Sequence, residues 1–400
     1  MKTEEFLEQI KSYIPADQLG SFLSQSEALP MPNRKLESWK YFPTKFLNFE
    51  KQEQSTTLDL AKELNRLKAP GMDVLVTRNG QVQTDLSTDK VKLKELSASD
   101  FQLESMETKL DVLSVYSEGQ KLELVMQDSK ALQIIHFIDS DKSFFNFKLN
   151  VDEAVELEIY ENFVAVDKVQ AHFVSEIELK KEAKLKYYSQ SELSSSAQVY
   201  THSSIGLSEA ALYKSVVSDT DPGKFRRKTK VNLNGERAHA DMKAFYLLNE
   251  AAIVNHKIDV NHNVPNATSE QLYKGILDGE SKAIFDGMVY VAKQAMGTDS
   301  QQLNKSMLFA DSAEVITRPQ LEIYADDVAC AHGATLGGFN RDEVFYFQSR
   351  AIPEEVALRM LAVGYAEEIF QEVENKEIHK DFLDQFLDRF SQYKVDIHEL

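Results

Sequence analysis

The sequence predicts a mainly β fold: a right-handed parallel β-helix (β-solenoid) flanked by N-terminal and C-terminal helical regions. Three observations predict it: a recurring turn pattern in the middle of the chain, period-two alternation after each turn, and helical apolar stripes at both ends. The recurring unit is an apolar residue, a polar turn, an alanine and then alternating residues. Its copies read LNVDEAVELEIY, LKKEAKLKYY, LSEAALYKSV, LNGERAHADM, LNEAAIVNHK, LDGESKAIFD and FADSAEVITR. Their alanines, Ala154, Ala183, Ala210, Ala238, Ala251, Ala283 and Ala313, fall about 13 or about 27 to 32 residues apart, as single or paired strand crossings of a winding sheet would. A small residue at each corner lets successive coils stack, while alternation sends one face inward and the other to solvent. Right-handed coiling is the default for parallel crossovers. An ordinary β-sandwich with alanines after its turns is the competing reading.

The N-terminal region, residues 1–110, reads as mixed. Phe6, Leu7 and Ile10, then Leu19, Phe22 and Leu23, recur at helical spacing, and Pro15 separates the two runs. Trp39, Tyr41, Phe42, Phe46 and Phe49 crowd into the next stretch, and a polar connector leads to another short helix. DVLVTRNGQVQ and VKLKEL alternate like strands, with Asn79-Gly80 as a turn. The β-helix core is placed at 111–348. Such a solenoid needs its ends covered, because a terminal rung offers unpaired backbone groups. In the C-terminal region, 349–400, Pro353 and two acids open a helix with a wide apolar stripe: Val356, Met360, Val363 and Phe370, joined by Leu361, Tyr365 and Ile369. A second run repeats Phe382, Leu383, Phe386, Leu387 and Phe390. These stripes read as packing against each other, or as a helix-in-groove partner site.

Composition narrows the function. Across 400 residues, 42% are hydrophobic and 27% charged, enough apolar surface for a large buried interior. The formal charge of −19, from 64 acidic against 45 basic residues, repels phosphate backbones and anionic lipid, so nucleic acid and membrane are not expected partners. The start is acidic and amphipathic, unlike a signal peptide, and no stretch is long and apolar enough to span a bilayer. One cysteine can form no internal disulfide and cannot alone supply a structural zinc or iron–sulfur site. The expected location is cytoplasmic.

Familiar catalytic signatures are missing. HGATLGG lacks the lysine of a P-loop, so ATP hydrolysis by this chain is not expected, and there is no dinucleotide fingerprint, nucleophile elbow or H-E-x-x-H pair. What stands out is YADDVACAHGATLGG, Tyr324 to Gly338. Cys330 and His332, at i and i+2 on an extended segment, share a face and could give a metal two ligands, with another chain completing the site. The plainer reading is a buried thiol beside a structural imidazole. Asp326 and Asp327 are adjacent, so on a strand they would face opposite ways, and a turn or strand end suits them better than paired catalysis. His239, His256 and His262 read as hydrogen-bonded strand histidines. The basic run Lys224 to Lys230, KFRRKTK, reads as a solvated strand or loop rather than a phosphate site.

The block Gln271 to Ile352 resembles the SufB/SufD family, scaffold subunits of the sulfur-mobilisation machinery for iron–sulfur cluster assembly. YKGILDG, QLNKSMLF, RPQLEIYADDVACAHGATLG and FYFQSRAI carry the likeness, which continues more weakly through RRKTKVNLNGERAHADM. ESWKYFP, Glu37 to Pro43, and the single cysteine resemble the D-type members. The resemblance implies a non-catalytic scaffold in a SufBCD-type complex with one SufB-like chain and two copies of SufC, an ABC-type ATPase docked by the C-terminal helices. It implies that the solenoids pair through their C-terminal rungs, and that His332, with Cys330 as second ligand or interface thiol, binds a transient iron–sulfur cluster shared with the SufB-like partner. Gly333, Gly337 and Gly338 would allow close approach at that seam. A reduced flavin at the level of the complex is left open. The alternatives are a homodimer of this chain and a polysaccharide-acting β-helix enzyme using Asp326 or Asp327.

Overall fold

The computed structural model describes residues 3–44, 47, 49, 56–102, 106–126, 130–220 and 223–391. Its centre is a parallel β-helix whose strands alternate between two sheets. Among the described residues one sheet has ten strands, from the hairpin at 73–82 to Val328–Gly337, and the other nine, from Val91–Glu95 to Glu314–Ile323. Pairing is in register over whole strands: Gln198–Leu207 lies parallel between Gln170–Leu179 and Lys224–Leu233. Register stacks like residues into columns, such as Ile177, Ile205, Val231, Val260 and Val289, each at most 1% exposed. Burying each such side chain contributes roughly 1.5–3 kcal/mol relative to exposure, so the columns are the main source of cohesion.

The corners explain the alanine pattern and correct its register. The N–H groups of Ala183, Ala211, Ala238 and Ala252 each donate to the carbonyl three residues earlier, closing a β-turn, and all four side chains are buried. Ala154 and Ala210 instead adopt left-handed φ of 57° and 53°, as do Glu182 at 59° and Arg237 at 60°. The N–H groups of Ala154, Glu182 and Ala210 donate to carbonyls of the next turn, which carries the ladder around the bend. Three of the alanines singled out from the sequence, Ala154, Ala210 and Ala251, therefore sit one position early, outside the buried corner. Ala211 and Ala252 occupy the inner site in two of those turns.

Among the described residues seven α-helices flank this core. Helices α1 (Thr3–Ile10), α2 (Leu19–Ser26), α3 (Leu60–Leu67) and α4 (Lys109–Tyr116) precede it or join its first rungs. Thr108 and Asp111 form a capping box that starts α4, which packs on the outer face of the nine-stranded sheet. Trp39 stacks on Tyr200 there, with ring centroids 6.3 Å apart, and the Arg226 guanidinium lies 4.3 Å from the Trp39 ring. Phe42 and Phe49 are buried beside it, while Phe46 lies outside the described residues.

The last three helices are α5 (Arg341–Ser349), α6 (Glu354–Phe370) and α7 (Lys376–Phe390). Helices α6 and α7 cover the outer face of the ten-stranded sheet, where Phe245 meets Phe370 at 5.3 Å and Phe386 at 5.5 Å between centroids. The buried face of α6 is Ala357, Leu358, Ala362, Ala366, Ile369 and Phe370. Val356 and Met360, which the sequence placed on the packed stripe, are instead exposed, because the face that meets the sheet is rotated toward the small alanines.

Candidate functional site: the open end rung

The middle of the basic run is buried rather than solvated. On the strand Lys224–Leu233, alternation sends Arg227 inward with Phe225 and leaves Arg226 and Lys228 on the outer face, under the N-terminal region; all three charged residues are buried. Arg227 forks onto Asp219 with Nη2–Oδ1 2.7 Å and Nε–Oδ2 3.0 Å, and Lys228 Nζ lies 3.2 Å from Glu107. Burial pushes the Asp219 carboxyl up, yet Arg227 holds it net below the usual carboxylate range. Nearby, His136 lies 3.0 Å from Glu161, and Tyr187 donates to the other Glu161 oxygen. The sequence reading missed this polar interior, although period two in KFRRKTK already places Arg227 on the face of Phe225.

The three strand histidines are packed within the fold. His239 Nδ1 pairs with Thr268 at 2.7 Å and His262 Nε2 with Ser269 at 2.9 Å, while His256 Nε2 stands 3.4 Å from Asp219. Burial lowers His256 and His262 from 6.5 to about 4. Asp326 and Asp327 occupy an exposed bend between the last two strands.

Cys330 and His332 lie on the last strand of the ten-stranded sheet. Register sets Cys330 beside Ser300, His332 beside Gln302 and Leu336 beside Ser306, all three inner partners being buried, so these residues extend the inward-facing columns. With no further rung above among the described residues, His332 is exposed and Cys330 half-buried against the core. Burial pushes the Cys330 thiol up, and the Asp299 carboxylate adds to that. Among the described residues no three His, Cys, Asp or Glu side chains gather into a metal site.

Several large apolar side chains in this rung and in the helices that follow it are exposed. Tyr324 is 60% and Leu336 49% exposed, and Phe345 and Tyr346 of α5 join Val356 and Met360 of α6 in standing out to solvent. A Cβ on Gly333 would lie 3.0 Å from Leu303, whereas one on Gly337 would meet nothing within 4 Å, so crowding within this chain does not require the second glycine. No helix among the described residues is long and apolar enough to cross a membrane.

Fold and site together define a β-helix protein whose end rung has no outer strand among the described residues and presents an imidazole, a thiol and apolar side chains. The model of the SUF system FeS cluster assembly SufBD core domain matches residues 136–365, and the chain belongs to this family. It is 25% identical over 393 residues to the iron–sulfur cluster assembly protein SufD of Escherichia coli, covering 92% of this chain and 91% of that one. It is 35% identical over 236 residues to protein ABCI7, chloroplastic, of Arabidopsis thaliana, covering 57% of this chain and 49% of that one. A SufBD family protein of Synechocystis is 39% identical over 116 residues, covering 29% of this chain and 25% of that one.

Proposed function

We propose that this chain is a non-catalytic scaffold subunit of iron–sulfur cluster assembly that works through its open end rung. A SufB-like solenoid pairs its own terminal rung with Glu314–Ile323 and Val328–Gly337, satisfying the two free sheet edges. The nascent cluster is the cargo. His332 supplies an imidazole from this side, the SufB-like chain supplies thiolate, and Cys330 lies on the same face of the strand two residues away. The exposed apolar side chains of α5 and α6, Phe345, Tyr346, Val356 and Met360, form the docking surface for a SufC-type ATPase. The observation that carries the reading is the placement of His332 on an inward-facing column that no described strand covers, at the end of a solenoid in a SufBD chain.

The test is anaerobic affinity purification of the tagged chain from its own cells, with intact-complex mass. Recovery with a SufB-like chain and about two ATPases per complex supports the scaffold role. Recovery only as a homodimer favours pairing of the end rung with a second copy. Unimpaired cluster assembly in a His332→Ala/Cys330→Ala double variant would overturn the shared site.

A further inference from the structure

The rung beneath His332 contains buried polar atoms without protein partners. Gln302 is fully buried, and its Nε2 donates to Gln271 Oε1 at 3.0 Å, while Gln271 Nε2 has no hydrogen-bond partner of its own. Gln302 Oε1 has no hydrogen-bond partner. Asn304 Oδ1 in the same strand and Thr317 Oγ1 in the opposite sheet are likewise unpartnered. Leaving such an atom unpaired in the interior costs on the order of 1–3 kcal/mol, so each of these oxygens calls for a donor.

Register decides which donor each can have. Asn304 lies beside Ala334, which has no polar side chain, so its oxygen is left to water. Gln302 lies beside His332, whose imidazole always carries at least one N–H. Adjacent strands stand only about 4.8 Å apart, within reach of a ring turned down onto the amide. The opposite sheet makes room for this amide at Gly287, where a Cβ would fall 2.3 Å from Gln302 Nε2.

We infer that Gln302 is a positioning residue for His332: its Oε1 accepts one ring N–H, which fixes the tautomer and leaves the second ring nitrogen facing out of the open end. Metal-binding histidines ordinarily have their other nitrogen held in this way. This deepens the reading of His332 as a cluster ligand and rests on it for its purpose, though the hydrogen bond itself can be tested separately.

The experiment uses the full-length chain labelled with ¹⁵N-histidine, with the His332 ring signal assigned by its loss in His332→Ala. The expected result is one dominant His332 tautomer with a ring N–H protected from solvent exchange. Gln302→Met should abolish the protection and return the ring to its solution mixture of tautomers, while Gln302→Glu, which still accepts, should retain it. Should the Met variant fold poorly, the Glu variant decides alone: loss of protection in a folded Glu protein overturns the proposal. An unchanged ring signal in a folded Met variant does so too. In the complex reconstituted with ferrous iron and sulfide, Gln302→Met should weaken cluster retention about 10- to 100-fold. If His332→Ala retains the cluster normally while the ring signal still depends on Gln302, the ligand reading fails and the hydrogen bond stands.

Discussion

At its first rungs the β-helix stops by reversing direction. Gln81–Val82 pairs antiparallel with Asp73–Arg78, and Val91–Glu95 pairs antiparallel with Gln120–Met126. At its last rungs, Glu314–Ile323 and Val328–Gly337 run parallel to their inner neighbours and have no outer strand among the described residues. Val74, Leu75 and Val76 at the first end are at most 1% exposed, whereas at the other end only intermediate or exposed positions occur in either final strand. An edge of two parallel strands with inward-facing side chains uncovered is a template for pairing. Placing a thiol and an imidazole on that template, rather than at the sealed end, makes their chemistry depend on what covers it.

The largest effect that would test this contrast comes from Leu75→Asp. A carboxylate in the sealed rung should cost about 4 kcal/mol or more, seen as loss of soluble folded protein, and a normal melt would show that this end is not sealed. Next, Arg227→Met strands the Asp219 charge inside the solenoid and should cost about 3–5 kcal/mol by denaturant titration.

Acid comes third. His256 and His262 are held at about 4 in the fold against 6.5 in the unfolded chain. Between those values the unfolded chain binds more protons, so stability is complete above pH 6.5 and declines toward pH 4, by roughly 1 to 3 kcal/mol for each histidine. Flat stability across that range would show that neither ring is shielded as described.

Corner packing follows. Ala238→Leu, at a fully buried corner, should cost about 1–3 kcal/mol, whereas Ala251→Leu on the exposed side of its turn should change stability by under about 0.5 kcal/mol. Equal effects would contradict the one-residue correction. The smallest change in the isolated chain is expected from Leu336→Asp, within about 0.5 kcal/mol, because that rung is open. The same variant should fail to pair with a partner solenoid in a native-mass measurement, and a melt lowered as far as that of Leu75→Asp would mean the two ends are not different.

Much of this was readable in the chain because it depends on local spacing. Period two gave the strands, Asn79-Gly80 the hairpin and Pro353 with its acids the start of α6. Cys330 and His332 were legible as a pair for the same reason: residues two apart on an extended segment share a face whatever surrounds them. Gln302 was not legible, since it precedes His332 by 30 residues and becomes its neighbour only through strand register.

By itself, then, the sequence determined that the middle of the chain coils in alternating strands with small residues at its turns, since side-chain direction along a strand is a local property. Only the tertiary structure decided which alanine of each turn enters the core, that Arg227 goes in against Asp219 while Arg226 stays out beneath Trp39, and that the strand carrying Cys330 and His332 ends the ladder. Those outcomes depend on which distant segments lie side by side. Hydrogen-bond pairing and burial between remote strands settle that, and neither is encoded in any one stretch of residues.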